Sequence, residues 1–146
     1  MIRSIKAVAL LVLAASMASP ATAQQSQQFG DYEVHYNTLN TNMLSPEIAS
    51  VYSIQRAGTQ AMLNVTVLNN ESREPMEAEI SATATNLTGQ RREIELRKID
   101  DQGAIYYIGQ FRIHDEEMLN FNLQVQPEDH DGEPFTMTFR QQFFTG

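Results

Sequence analysis

The feature that most constrains the fold of this chain is a strict alternation of apolar and polar residues. In the longest such run, residues 76–84, apolar residues occupy every second position, and Glu77, Glu79 and Ser81 stand between them. Successive side chains of a β-strand point to opposite faces, so this period of two predicts strands with one buried and one solvated face. Helical periodicity is nearly absent, and the pattern therefore predicts an all-β antiparallel fold.

Strand patterns recur along the chain, and the connections between them are rich in turn-forming residues. Asn, Asp, Gly and Pro cluster at residues 69–70, 86–89, 100–103 and 127–134. Most connections are short, which predicts a meander of sequential hairpins, and a count of about seven or eight strands is typical of a β-sandwich. The predicted strands comprise residues 32–36, 51–56, 63–67, 76–84, 94–96, 104–113, 119–125 and 135–143.

Whether a connecting loop has an odd or an even number of residues predicts which residues of two paired strands lie opposite each other, because inward side chains must face inward side chains. The strand over 104–113 is apolar on both faces, so we expect it to lie centrally with its second face partly covered. The predicted neighbours across the hairpins are Ala82 with Ile94, Ile80 with Leu96, Glu79 with Arg97 on the wet face, Phe111 with Phe121, Gly109 with Leu123, and Tyr107 with Val125.

Residues 37–49 break the alternation. Ser45 before Pro46 is a helix-start signal, with serine as the N-cap and proline at the first helical position. We predict a single helical turn or a turn-rich excursion here, followed by the strand over 51–56. The apolar residues of this segment either plug one end of the sandwich or form a patch that binds a partner. The candidate partner-binding residues are Met43, Leu44, Ile48, Tyr52 and Arg56.

The first 23 residues have the order of a secretory signal peptide. Arg3 and Lys6 precede a short apolar stretch, and Ala21-x-Ala23 places small residues at a cleavage site, which predicts a mature start at Gln24. The chain has no cysteine, which excludes a lipoprotein anchor. We therefore expect a periplasmic protein without a membrane anchor after cleavage. Its predicted parts are the signal peptide 1–23, a disordered polar lead-in over 24–28 and a single domain over 29–146.

The order of several short motifs resembles an uncharacterised family of small secreted proteins from Gram-negative bacteria, domain of unknown function 4426. The resemblance runs from about Gly30 to the C-terminus and implies a periplasmic, immunoglobulin-like β-sandwich; it brings no activity and no binding residues. The motifs are Gly30-x-Tyr32-x-Val34-x-Tyr36, Leu44-x-Pro46-Glu47-Ile48-Ala49-x-x-Tyr52-x-Ile54-x-Arg56, Leu63-Asn64-Val65, Ala104-Ile105-Tyr106-Tyr107 and Phe139-Arg140-Gln141-Gln142-Phe143.

Few residues suggest chemistry. The net charge of −8 argues against binding to nucleic acid. No serine stands in a Gly-x-Ser-x-Gly elbow, and the histidines His35, His114 and His130 lie on a polar strand face or in acidic turns. The acidic loop 128–133 could offer oxygen ligands to Ca²⁺ but does not fit the EF-hand pattern, because Pro127 falls at the first ligand position. We expect no catalytic, metal or cofactor site.

Two functions of different classes remain open. The favoured one is a non-catalytic binding or accessory module of the cell envelope whose partner is another envelope protein, because sandwiches commonly bind through loops or sheet edges. The alternative is a small-ligand or metal-dependent enzyme with a site assembled from distant residues, such as His35 with the loop around His130. An enzyme needs a recess where polar groups converge, whereas a module needs an exposed patch or a free strand edge.

Overall fold

The computed structural model describes residues 25–145, and the predicted signal peptide lies outside them. No helix in this range is long and apolar enough to cross a membrane. Two antiparallel sheets contain almost all of the regular structure. The elements are β1 (Gln25–Phe29), β2 (Tyr32–Asn40), a 3₁₀ turn (Thr41–Met43), α1 (Pro46–Val51), β3 (Gln60–Asn69), β4 (Ala78–Asn86), β5 (Arg91–Ile94), β6 (Arg97–Asp101), β7 (Ala104–Arg112), β8 (Glu117–Pro127) and β9 (Phe135–Phe143).

The two sheets form an all-β sandwich, as predicted. One sheet has the order β1-β2-β3-β7-β6, and the other has the order β5-β4-β8-β9. The series β2-β3-β7-β6 corresponds to strands A-B-E-D of an immunoglobulin domain, and β5-β4-β8-β9 corresponds to C′-C-F-G. The described residues thus form nine strands rather than seven or eight. Strands β1 and β6 were not predicted, and the strand predicted over 51–56 is absent.

The prediction of a simple meander is wrong. The chain crosses between the sheets from β3 to β4, from β5 to β6 and from β7 to β8. Phe111 and Phe121 therefore meet across the core, with their rings edge to face and the centroids 5.5 Å apart, rather than as neighbours in a hairpin. Loop parity could not distinguish these arrangements, because inward residues face the core whether the chain turns back or crosses over.

The other predicted pairs of residues 107 and 109 fail for the same reason. Gly109 pairs with Leu63 on β3, whereas Leu123 lies between β4 and β9 in the opposite sheet. Tyr107 pairs with Val65 on β3, and Val125 lies in the opposite sheet.

The predicted hairpin between β4 and β5 is correct only over its first half. Ala82 pairs with Ile94 as predicted, but the chain then leaves this sheet and continues in the other as β6. Glu79 therefore pairs with Gln126 and Arg97 with Ile108, so these two side chains are not opposite each other. Ile80 and Leu96 both pack against the core, although they are not cross-strand neighbours.

The crossover from β5 to β6 passes directly over Gly109 of β7. A Cβ atom at this position would lie 2.5 Å from the backbone oxygen of Glu95 and within 2.9 Å of the side chains of Ile94 and Leu96. The absence of a side chain at residue 109 is thus what allows the chain to change sheets at this point.

The polar lead-in is not disordered, because Gln25–Phe29 forms β1. This strand pairs with the first half of β2, from Gln25 opposite Tyr36 to Phe29 opposite Tyr32. The connection is a two-residue hairpin loop in which Gly30 has a φ of 59°, a conformation that glycine adopts without strain. The side chains of Gln25 to Gln28 are exposed, so the strand is held by backbone hydrogen bonds to β2. Because these side chains are not buried, the sequence shows no alternation of apolar residues here.

The helical turn at Pro46 is confirmed, but the strand predicted over 51–56 is wrong. The Ser45 hydroxyl accepts a hydrogen bond from the Ile48 N–H and caps α1. At the other end, the N–H of Ile54 donates to the Ala49 carbonyl and the N–H of Ser53 donates to that of Ser50, the two bonds of a Schellman motif. Ser53 has a φ of 58°; this left-handed position usually carries glycine, so the sequence does not mark the helix end.

The segment around α1 covers the outer face of β7, as predicted for a strand that is apolar on both sides. Ala49 and Ile54 pack with Met62 and Ile108 in a small second core. The main core lies between the sheets and contains the inward residues of β2, β3, β4, β7, β8 and β9. Strand β7 is thus covered on both faces, and it lies between β3 and the edge strand β6 rather than at the centre of its sheet.

A nearly buried ion pair joins the start of β5 to the start of β8. The Arg92 guanidinium lies 2.7 Å from Glu117 Oε2, which also accepts a hydrogen bond from the Asn86 side chain at 2.9 Å. The His114 N–H donates to the other carboxylate oxygen at 3.0 Å. Burial raises the pKa of Glu117, but the hydrogen bonds from Arg92, Asn86 and His114 outweigh burial and hold the pKa below its ordinary value.

We expect Glu117→Gln to lower the free energy of unfolding by about 1–2 kcal/mol at pH 7, because a neutral amide replaces charge-assisted hydrogen bonds. A lowered folded-state pKa stabilises the protein above the unfolded pKa of about 4.3, and this contribution is lost as the pH falls through the folded-state value. Urea unfolding should therefore show that the free energies of unfolding of the wild type and of Glu117→Gln converge as the pH falls from 7 to 3. Glu93 forms an exposed ion pair with Arg91, so the control Glu93→Gln should change the free energy of unfolding little. A difference between the wild type and Glu117→Gln that stays constant with pH would contradict the lowered pKa of Glu117.

Candidate functional site

A groove runs between an edge of one sheet and an edge of the other. Strand β1 pairs with β2 as far as Tyr36, but β2 continues to Asn40. Within the described residues, positions 37–40 thus have β3 on one side and no strand on the other. Strand β9 ends the second sheet and faces them across the gap. The groove between these edges has a volume of about 540 Å³, within the range of about 300–1,000 Å³ of small-ligand sites.

None of the described residues that line the groove has a charged side chain. One wall comprises residues 36–40 of β2 with Met43, and the other comprises Phe139 with residues 141–144. Met43 is 74% exposed and Phe144 is 55% exposed, although both are large and apolar. The chain holds 28 acidic and basic residues in total, so an uncharged, partly apolar groove contrasts with the rest of its surface.

Two contacts join the walls of the groove. The rings of Tyr36 and Phe139 stack with centroids 4.4 Å apart, and Phe139 stacks in turn on Phe121 of the core at 4.6 Å. The Asn40 side-chain amide donates a hydrogen bond of 2.7 Å to the Phe144 carbonyl. These contacts lie four residues apart along β2, so they hold the two walls at a fixed separation over that length.

The acidic loop 128–133 is held by contacts within the fold. The Tyr32 hydroxyl donates to Asp129 Oδ1 at 2.7 Å, and the His130 ring stacks on Phe135 at 4.5 Å. The hydrogen bond to Asp129, together with burial, raises the pKa of Tyr32 to about 12. From Gln25 to Thr145, no group of three or more His, Asp or Glu side chains is placed to hold a metal ion.

The structure does not bring His35 and the loop around His130 together. Tyr32 faces the core and contacts the His130 ring edge-on at 5.8 Å, whereas His35 lies on the opposite face of β2. His35 Nε2 instead lies 3.6 Å from Glu33 Oε1. Glu33 also accepts a hydrogen bond from Arg73, which holds the pKa of this carboxyl below its ordinary value.

A second recess, of about 480 Å³, gathers titratable groups at one end of the sandwich. Its lining includes Glu77, Lys98, Tyr107, Glu128 and His130. The hydrogen bond of 3.0 Å to Glu77 raises the pKa of Lys98, and burial raises that of Tyr107. A lysine base or nucleophile that works near neutral pH needs a lowered pKa. The shift of Lys98 is in the opposite direction.

The five residues predicted to bind a partner do not share one surface. Met43 lies in the groove wall, whereas Leu44 and Tyr52 pack against the second core. The Tyr52 hydroxyl donates to Asp101 Oδ2 at 2.9 Å, and the Arg56 side chain donates to the Leu44 carbonyl at 2.7 Å. Ile48 remains half exposed on α1. The segment therefore both covers the sheet and leaves apolar atoms at the surface.

The sequence-based search missed the C-terminal wall of the groove. Phe143 faces the core, and its neighbour Phe144 is exposed. The two adjacent phenylalanines were a usable signal, because a strand can bury only one of two consecutive side chains on the same side. The free edge at residues 37–40 had no such signal, because it depends on where β1 ends.

These features define a small two-sheet domain with an uncharged groove between two strand edges. Residues 26–146 match the model of the domain of unknown function DUF4426, and the chain belongs to this family. A crystal structure of a DUF4426 family protein from Pseudomonas aeruginosa PAO1 is similar, with 34% identity and a TM-score of 0.73. The match covers 83% of this chain and 94% of that one. The comparison with curated proteins gave no match.

The fold is also similar to that of FetP from uropathogenic Escherichia coli strain F11. FetP expressed in the E. coli periplasm is 12% identical, with a TM-score of 0.61 over 84% of this chain and 94% of that one. A copper-bound variant of FetP is 11% identical, with a TM-score of 0.59 over 82% and 93%. At these identities the likeness concerns the fold alone.

Proposed function

We propose that this protein is a non-catalytic periplasmic binding module and that its partner binds in the groove between β2 and β9. The observation that carries the proposal is the exposure of Met43 and Phe144 on opposite walls of an uncharged cleft. Large apolar side chains at a concave surface gain free energy when a partner removes them from water. In the titratable recess, the raised pKa of Lys98 argues against a lysine base or nucleophile.

The periplasmic location is part of the proposal. It is supported by the charged, apolar and small-residue order of the first 23 residues. Expression of the structurally similar FetP in the periplasm is consistent with it. Other envelope proteins would then be the available partners.

Processing provides a direct prediction. In the exporting organism, we expect N-terminal sequencing to find Gln24 as the first residue of the mature protein, because Ala21 and Ala23 occupy the positions that signal peptidase reads. Recovery of a soluble cytoplasmic form that retains residues 1–23 would contradict both the cleavage and the location.

The binding proposal is tested by capture from an envelope extract with matched variants. Met43→Ser and Phe144→Ser remove exposed apolar groups from the groove. Leu87→Ser removes a group of comparable exposure, 71%, from the turn between β4 and β5. We expect the groove variants to lose the captured partner and the Leu87 variant to retain it. A partner that all three retain equally would refute the groove as the binding site.

The alternative is a small-ligand or metal-dependent protein, and the copper-bound FetP structure makes copper the ion to test. The recess lined by Glu128 and His130 is where such a ligand would meet polar groups. Calorimetric titration with copper, repeated on His130→Ala, distinguishes the two functions. Saturable binding that is lost in the variant would favour the alternative.

A further inference from the structure

We propose that the groove binds its partner as an extended peptide strand, which adds to β2 beside residues 37–40. This inference rests on the proposed function, because it specifies what the groove holds. Those four residues pair with β3 on one side, and in residues 25–145 no strand occupies the other side. Backbone N–H and C=O groups on a free strand edge are a template for another chain.

The added segment would continue the line of β1. Strand β1 already occupies the first half of this edge, with Gln25 opposite Tyr36, and Gln25 itself lines the groove. At the far end, the hydrogen bond from Asn40 to the Phe144 carbonyl crosses the gap. Four residues at about 3.3 Å each give a free edge of about 13 Å. The site therefore fits a short extended segment rather than a helix or a folded domain.

The chemistry of the groove indicates an uncharged partner segment. The polar groups in its walls are amides and hydroxyls of residues such as Asn37, Thr38 and Gln142, and no side chain that lines it between residues 25 and 145 is ionised. A charged partner residue would lose hydration there without gaining a counter-charge. Phe144 offers apolar surface on the wall formed by β9, and every second side chain of an added strand points to the same side and can face that wall. We therefore infer a partner segment with alternating apolar and neutral polar residues.

A peptide probe provides a test specific to strand addition. A displayed library of random heptapeptides is selected on the processed protein, and the tightest peptide is synthesised with each backbone N–H methylated in turn. In an added strand, alternate N–H groups point to the neighbouring strand. We expect methylation at alternate central positions to weaken binding about tenfold, the equivalent of one lost hydrogen bond, and methylation between them to have little effect.

Matched variants locate the peptide. Phe144→Ser should weaken its binding about tenfold or more, and Leu87→Ser should leave its affinity unchanged. Val51→Ser removes an apolar group that is 72% exposed on α1 and should also have no effect. Loss of binding in the Phe144 variant alone supports the groove as the peptide site.

Several outcomes overturn the inference. In one, the library yields no uncharged peptide with alternating apolar residues; in another, N-methylation is tolerated equally at every position. In a third outcome, the selected peptides bind the Phe144→Ser variant normally. A dimer in sedimentation experiments that dissociates in Met43→Ser would assign the groove to a second copy of the chain instead. If envelope capture depends on Met43 and Phe144 but methylation shows no alternation, the strand mode fails and the proposed function stands. If capture does not depend on them, the proposed function itself fails.

Discussion

Replacement of Phe121 with alanine should lower the free energy of unfolding by about 3–5 kcal/mol. Phe121 is 1% exposed and lies at the centre of a cluster of aromatic rings between the sheets. Its ring centroid is 4.6 Å from that of Phe139, 5.5 Å from that of Phe111 and 6.1 Å from that of Phe143. Alanine would remove the apolar surface of the ring and leave a cavity that these neighbours can only partly fill.

Urea unfolding of the purified protein measures this loss. Asn122→Ala supplies the control, because Asn122 lies on the same strand with its side chain exposed on the outer face, and its change should stay within about 0.5 kcal/mol. The same experiment bears on the groove, since Phe139 stacks on both Phe121 and Tyr36. A loss in Phe121→Ala no larger than that of the control would contradict the position of this ring in the core.

Gly109→Ala should cost about 3 kcal/mol or more, at the upper end of the range for overpacked cores. The new Cβ would lie 2.5 Å from the Glu95 carbonyl oxygen, so the crossover from β5 to β6 would have to move away from β7. The atom is part of the backbone and has no rotamer that could relieve the clash.

The position of Gly109 can be tested with a second substitution. Leu96→Ala removes one of the side chains near the new Cβ but leaves the Glu95 oxygen in place, so it should not restore stability to the Gly109→Ala variant. The neighbouring Gln110→Ala should change stability little, because its side chain is only partly buried. A stable Gly109→Ala protein would mean that the crossover passes elsewhere.

Alternation predicts the faces of the strands well because burial of one face leaves a direct pattern in the sequence. Ala82, Ala84, Leu119 and Val125 are all buried as their positions predicted. Alternation does not predict partners, because an inward residue looks the same in a hairpin and in a crossover. The register therefore fails beyond Ile94, where the chain changes sheets over Gly109.

The other wrong predictions concern two elements, β1 and the end of α1, that are stabilised by backbone hydrogen bonds. Strand β1 pairs along its backbone while four of its five side chains stay exposed, so no apolar pattern could reveal it. The end of α1 is a Schellman motif with Ser53 at the left-handed position, where a glycine would have been recognised. Between them, these two elements decide where the free edge of β2 begins and how the following segment covers the sheet.

The groove was the feature least predictable from the sequence, because it exists only in the tertiary structure. Its walls come from segments about 100 residues apart in sequence, residues 36–43 and 139–144. Only Met43 was among the predicted binding residues, and its exposure agrees with a role at the surface. Of the other four candidates, Ile48 lies on α1, Leu44 and Tyr52 pack against the second core, and Arg56 donates a hydrogen bond to the Leu44 carbonyl. Their contribution to binding stays a prediction.

Photo-crosslinking in the exporting cell tests the role of the groove most directly. p-Benzoylphenylalanine is introduced in place of Phe144, and in a matched strain in place of Leu87, which is similarly exposed outside the groove. On irradiation, we expect residue 144 to crosslink a defined envelope protein through an uncharged extended segment, which mass spectrometry would identify. Residue 87 should not give this product, and Met43→Ser should reduce its yield. Identical products from both positions, or no product from residue 144, would contradict the assignment of the groove as the binding site.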